Sequence, residues 1–270
     1  MDMQIISVAS IIGMIFSLAI AIGVPVALLV LIHKKKGAGI SGFFFGAATF
    51  FVAAMVLEQI LHMAVFTLAG EALTGNIWLY GLYGGLAAAV FEETGRFVTM
   101  KFFMKKKLNT GNALMYGAGH GGFEAILIVG LAYISNLVTS IMINTGGMEA
   151  SLAMLDEQTR TTTMESLSAL WTTPSYLFYI AGAERIFAIA IQISLSVLMY
   201  LGVKYGKKLC IAGAYILHFL VDFVSVIVSD KFGTIAAEVV ILLMAAVIIA
   251  TVYLIWKKME EIPESERTKL

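Results

Sequence analysis

Charge is the scarcest feature of this 270-residue chain: only 13% of its residues are Asp, Glu, Lys or Arg. A soluble domain carries about 25%, so there is too little polar surface here to cover a water-soluble fold. Hydrophobic residues make up 60% of the chain and the mean hydropathy is +0.91. Prolines number three, which leaves room for long uninterrupted helices. A single cysteine, Cys210, excludes an intrachain disulfide and a thiolate metal cluster; its place at a helix start reads as a small apolar filler. Net charge is zero and the pI is near 6.9, so nothing points to nucleic acid. Strand-period alternation, low-complexity tracts and a second domain are all missing. Span-scale repeats are missing too, which argues against the common transporter folds.

What is present is a set of apolar runs of membrane-crossing length, and the expected fold class is an all-α polytopic membrane bundle. Seven spans are expected, near 5–32, 40–69, 77–104, 112–143, 173–203, 209–229 and 234–256. The first is not a signal peptide, because it lacks a basic leading segment and is followed by Lys34, Lys35 and Lys36. Basic residues also follow span three (Lys101, Lys105, Lys106, Lys107) and span five (Lys204, Lys207, Lys208), and fill the tail (Lys257, Lys258, Arg267, Lys269). All four clusters share one side only with the N-terminus outside and the C-terminus in the cytoplasm. The expected organisation is one integral-membrane domain over 1–270, with a core at about 40–230. An outer loop at 144–172 would hold short amphipathic helices, and a charged tail would cover 257–270. A plasma-membrane location follows.

Ionisable residues inside these spans are few: Glu58 and His62; Glu92, Glu93 and Arg96; His120 and Glu124; Glu184 and Arg185; His218 and Asp222; and Glu238. Each costs at least roughly 2.5–3.5 kcal/mol at bilayer depth on lenient insertion scales, so each needs a reason to be there. Glu92 and Arg96, His120 and Glu124, His218 and Asp222, and Glu58 and His62 are all four apart, hence on one helix face. At about 1.5 Å per residue, Glu92, His120 and His218 fall in one layer, roughly 10–20 Å from the cytoplasmic ends of their spans. The glycines of Gly117-Ala118-Gly119-His120-Gly121-Gly122 either let helices approach or leave room for a substrate backbone beside the histidine. Blander readings exist for each group. An Arg96–Glu contact is often a structural ion pair, Glu58 with His62 reads as an interhelical hydrogen-bond pair, and Glu238 reads as interfacial. Glu184 and Arg185, adjacent in sequence, are expected to diverge and take partners elsewhere, in a structural or substrate-positioning role. Two histidines, a glutamate pair and an aspartate in one layer nevertheless outweigh a chance arrangement.

A carboxylate beside a histidine can deprotonate water for attack on a carbonyl, while Arg96 offsets one carboxylate of the pair and His218 with Asp222 faces the developing oxyanion. The ordered set Glu92-Glu93-Thr94-Gly95-Arg96, then His120, then His218-x-x-x-Asp222 resembles the CAAX-protease and bacteriocin-processing superfamily of intramembrane proteases. More closely it resembles the YhfC family, with the two-residue gap before arginine of PrsW-type proteins. The resemblance implies that Glu92 activates water with His120, that His218 and Asp222 form the oxyanion-side pair, and that the substrate is a membrane-associated peptide. The short gap leaves open which of Glu92 and Glu93 faces the cavity, and Glu124 has no role assigned by the motif. A metal-free glutamate mechanism is favoured. The alternative is zinc held by His120, His218, Glu92 and Asp222. A proton- or cation-coupled transporter and a silent peptide-binding protein are the competing classes.

Overall fold

A computed structural model describes residues 3–264, 266 and 267; Lys269 of the expected basic tail lies outside the described residues. The chain runs as α1 (Val8–Lys36), α2 (Ser41–Phe50), α3 (Gln59–Thr74), α4 (Ile77–Val98), α5 (Thr110–Ala125) and α6 (Leu131–Asn144). Next come α7 (Gly147–Leu152), α8 (Glu157–Thr172), α9 (Ser175–Tyr205), α10 (Lys208–Phe232) and α11 (Thr234–Glu261). Three π-helical segments interrupt this order, at Phe51–Glu58, Thr99–Phe103 and Ile126–Gly130. The first and third continue α2 into α3 and α5 into α6 along the chain, and α3 is kinked at Ala69.

The fold is an all-α polytopic membrane bundle. Among the described residues six helices are long and apolar enough to cross a bilayer: Val8–Lys36, Ser41–Thr74, Thr110–Asn144, Ser175–Tyr205, Lys208–Phe232 and Thr234–Glu261. Large apolar side chains point outward along them, among them Ile12, Val26 and Leu254 at 51%, 54% and 63% exposure. Such an outer surface suits lipid, where helices are favoured because they satisfy their own backbone groups. The helix α4, expected as a further span, is the exception in composition, since it carries the charged triplet and four glycines. Its start is fixed by Asn76, whose side chain accepts from the backbone N–H groups of Trp78 and Leu79 at 3.0 and 3.3 Å. The expected outer loop is largely helical, forming α7 and α8.

The chain divides into two compact units. One comprises Met1–Val24 with Ala125–Ile186. Its core holds Ile6, Met14, Ile143, Leu170 and Phe178. The Asn144 side chain seals it by accepting from the Ile6 N–H at 2.8 Å and donating to the Ile6 carbonyl at 3.0 Å. The other unit comprises Pro25–Glu124 with Phe187–Leu270. Its core gathers Met100, Tyr116, Leu195, Met199 and Leu201, all at most 1% exposed, and α10 packs against both α4 and α11.

Glycine sets the closest approach in this second unit. A Cβ on Gly119 would lie 1.9 Å from the Phe43 carbonyl oxygen, and one on Gly46 would lie 2.0 Å from that of Tyr116. Helices α2 and α5 therefore touch backbone to backbone beside His120. The space expected for a substrate strand along the glycine run is occupied by the protein itself: Phe43 faces Gly119, Ile193 faces Gly117 and Pro25 faces Gly122. Here the glycines serve helix packing, as small residues do in membranes.

Candidate active site

Helices α4, α5, α9 and α10 of the second unit each deliver polar side chains to one buried cluster. From α4 come Glu92, Glu93 and Arg96, exposed by 6%, 0% and 0%. About one turn of α-helix carries all three, so the adjacent carboxylates point in different directions. Glu93 Oε1 accepts from Arg96 Nη1 at 2.6 Å and meets His218 Nδ1 at 2.8 Å. Glu92 Oε2 meets His120 Nε2 at 2.8 Å and accepts from Gln192 Nε2 at 3.2 Å. The far nitrogen of His218 faces Glu92 Oε2 at 3.8 Å and Asp222 Oδ2 at 3.5 Å. The residues expected from the sequence to converge, Glu92, Glu93, Arg96, His120, His218 and Asp222, do converge.

The pair is asymmetric. Glu93 has no exposed surface and is tied to the guanidinium, whereas Glu92 keeps a residual 6%. Asp222 is the most open member, its side chain 36% exposed. Two carboxylates and one guanidinium leave a negative charge in a poorly polarisable interior, for the imidazoles or a bound cation to meet.

His120 is fully buried, with Tyr116 stacked on it at 5.9 Å and Phe50 edge-on at 5.4 Å. Its Nδ1 is buried without a partner among the described residues. A bare ring nitrogen costs less there than a stranded N–H, so Nε2 carries the proton that bonds Glu92. Glu93 Oε2 and Arg96 Nε are likewise buried and unpaired. Three such atoms in one cluster suit a cavity that takes water or a small polar group.

Gln192 was not among the sequence candidates. Its Oε1 accepts from Arg96 Nη2, which fixes the amide so that Nε2 faces both Glu92 Oε2 and Glu124 Oε2, at 3.2 and 3.0 Å. Glu124, without a role in the motif, is thereby joined to the network. The signal available in the sequence was a lone amide in the apolar run of α9, a residue type that hydrogen-bonds between membrane helices.

Other expectations change. Glu184 and Arg185 do not diverge: Arg185 Nε and Nη2 both pair with Glu184 Oε2. Both side chains are long enough to fold back across the step between neighbours, and they belong to the first unit. Glu58 and His62 are indeed paired, at 3.2 Å, but along one chain segment rather than between helices. The interhelical bond is made instead by His62 Nδ1 to the Tyr83 hydroxyl, at 2.7 Å. Glu58, 6% exposed, also lies within electrostatic reach of Glu92, His218 and Asp222. It closes the first π segment, on which Ala53 and Ala54 are buried as well.

The class defined by this bundle and cluster is a multi-pass membrane protein with a buried carboxylate–imidazole site. The chain belongs to the YhfC intramembrane metalloprotease family, whose sequence profile it matches over residues 18–248. It is 39% identical over 246 residues to the uncharacterized membrane protein YhfC of Bacillus subtilis (strain 168), covering 89% of this chain and 94% of that one. No solved structure matches it.

The family name implies a metal. Among the described residues no three His, Cys, Asp or Glu side chains stand grouped as an ion cage. The donor types nonetheless fit zinc. The contacts of 2.8, 3.5 and 3.8 Å among His120 Nε2, Glu92 Oε2, His218 Nε2 and Asp222 Oδ2 bracket the edge of about 3.3 Å between ligand atoms bound at 2.0–2.2 Å in a tetrahedron. His218 also has the outer partner usual for a ligating imidazole, Glu93 on Nδ1. His120 fits less well, because ligation through Nε2 would move its proton to the partnerless Nδ1.

Proposed function

We propose that this protein is an intramembrane endopeptidase of the plasma membrane, cutting membrane-associated peptides with Glu92 as the base towards water. The observation that carries this reading is the division of labour between the two carboxylates. Glu93 is sealed against Arg96 and His218. Glu92 is held through Oε2 by His120 and Gln192 and retains the residual exposure. In the proposed reaction water attacks the scissile carbonyl carbon and its proton passes to Glu92. The C–N bond breaks as the leaving amine takes a proton, giving a carboxyl terminus and a new amine. In this reading His218, backed by Glu93, donates to the developing oxyanion as an imidazolium, and Asp222 does so in its protonated form. The lysine clusters support a site in the cytoplasmic half of the bilayer.

A second reading, supported by the donor set and the family name, has zinc held by His120, His218 and Glu92, with Asp222 beside them. There the ion would supply Lewis-acid polarisation of the carbonyl and a more acidic water. Both readings use the same residues and are separated by metal.

To find and test the activity, membrane peptides from cells expressing the full chain are compared by mass spectrometry with those from Glu92→Gln and Glu93→Gln cells. Cleavage products present only with wild type are expected, with Glu92→Gln lowering the rate by about 10²–10⁴-fold, the span of general acid–base catalysis. If both well-folded variants still generated the products, the proposal would fail. Dialysis of the active protein against a strong chelator is expected to leave the rate intact. Loss that zinc restores assigns the metal-dependent chemistry instead.

A further inference from the structure

A second concave site lies at the lysine-rich end of the second unit, where the π segment after α4 meets the end of α9. It is a pocket of about 360 Å³ whose wall includes Met100, Leu108 and Val203, and whose charged lining is Lys101, Lys105 and Lys204. Apolar packing closes the back of the pocket: Met100 is fully buried and Leu108 is 6% exposed. Phe102 also lines the pocket and is 62% exposed, so the mouth presents an aromatic ring to its surroundings.

The lysines reach the pocket from two chain segments that sequence separates by about a hundred residues, and the ammonium groups of Lys101 and Lys204 have partners there. Lys101 Nζ stands 4.8 Å from the Phe97 ring centroid and 5.6 Å from that of Phe102, a cation–π placement. Lys204 Nζ donates to the Leu108 carbonyl at 3.2 Å. Lys204 also already meets one anion, the Glu264 carboxylate at 3.6 Å. Glu264 is 71% exposed, so this pair is weak and readily exchanged for another anion.

We propose that this pocket binds an anionic glycerophospholipid, with its phosphodiester at Lys101, Lys105 and Lys204 and its first methylenes along Val203 and the Phe102 ring at the mouth. The combination selects the ligand. Three ammonium groups around one pocket attract an anion, and a free phosphate would leave the exposed Phe102 ring at its mouth uncovered. Basic pockets between membrane helices take anionic head groups for this reason. A lysine cluster that only set topology would need no cavity; Lys34, Lys35 and Lys36 are simply exposed. Displacement of Glu264 by the phosphodiester would release the tail residue from Lys204. The inference is independent of the proteolytic reading.

The test is native mass spectrometry of the full chain in detergent micelles, titrated with phosphatidylglycerol, with phosphatidylcholine and with inorganic phosphate. One phosphatidylglycerol per chain is expected to bind ahead of phosphatidylcholine. At about fivefold per lysine, Lys101→Gln/Lys105→Gln/Lys204→Gln should weaken it by roughly a hundredfold. The control Lys34→Gln/Lys35→Gln/Lys36→Gln removes the same charge elsewhere and should bind within about twofold of wild type. Should the triple variant misfold, Lys101→Gln and Lys204→Gln are scored singly for the fivefold loss. Equal binding of the two lipids overturns the proposal. Equal loss in the control reduces the effect to diffuse positive charge and overturns it as well. Lysine-dependent binding of inorganic phosphate without lipid preference also overturns it.

Discussion

Gln192 offers the sharpest test of how the site is held. Replacing it with Leu keeps its approximate volume and removes three hydrogen bonds, to Arg96, Glu92 and Glu124. Hydrogen bonds to charged groups contribute about 1.5–3 kcal/mol each. The full sum is an upper bound, because Arg96 keeps Glu93 and Glu92 keeps His120. A destabilisation of about 3–5 kcal/mol is therefore expected, comparable to breaking a buried pair. The effect on rate follows from position. With one of its two donors gone, Glu92 can shift by a fraction of an ångström, and misplacement of about 1 Å costs on the order of 10²-fold. Gln192→Glu separates these effects. It keeps an acceptor for Arg96 but sets a third carboxylate against Glu92 and Glu124 in place of a donor. Thermal unfolding in detergent and steady-state cleavage in proteoliposomes read both quantities. The expectation is that Gln192→Leu lowers kcat by 10- to 100-fold with KM unchanged, and that Gln192→Glu recovers some melting temperature but not the rate. A Gln192→Leu protein with kcat within twofold of wild type would refute the reasoning.

Arg96→Met should cost about 3–5 kcal/mol, because it strands the Glu93 carboxylate in a fully buried site; the unfolding midpoint in detergent reads this, and Arg96→Lys should recover part of it. Gly119→Ala places a methyl 1.9 Å from the Phe43 carbonyl oxygen and should lower stability by at least the roughly 1–3 kcal/mol of ordinary overpacking. Gly84→Ala, with nothing within 4 Å of the added carbon, is the neutral comparison. In α8, the Asp156 carboxylate accepts from the Thr159 N–H at 2.9 Å and its hydroxyl at 2.6 Å, which holds its pKa below the ordinary 3.8. A depressed folded pKa means that this cap contributes above pH 3.8 and is lost as pH falls through the lower folded value. Amide exchange at the first turn of α8 should accelerate over that acid window, and Asp156→Ala should show the faster exchange already at neutral pH.

How much of this was legible beforehand depended on whether the signal was periodic. Six long apolar helices and their approximate limits follow from hydropathy, and the i,i+4 spacing brought His218 to Asp222 and Glu58 to His62 as expected. The π segments left no such trace. A turn of i→i+5 bonds has no composition of its own, so the segment that Glu58 closes could not be told from an α-helical one. Adjacency misled at Glu184 and Arg185: backbone directions diverge at neighbouring positions, yet the side chains are long enough to close the gap. Gln192 was hidden for another reason. Attention to charge passes over an amide, although an amide can accept from a guanidinium and donate to two carboxylates at once.

That last property explains how three charges can share one turn of α4. Glu92 and Glu93, adjacent on the helix, point about 100° apart. Arg96, three residues after Glu93, closes on that carboxylate at 2.6 Å and leaves its other arm for Gln192. Gln192 then turns its donors towards Glu92 and Glu124. The guanidinium thus acts on the two carboxylates differently, directly on one and through a neutral amide on the other. Full neutralisation of Glu92 by Arg96 would have made it a second structural carboxylate. With only hydrogen bonds from His120 and Gln192, it is held in place without a cation of its own, which is the condition a base towards water, or a ligand to a metal, has to meet.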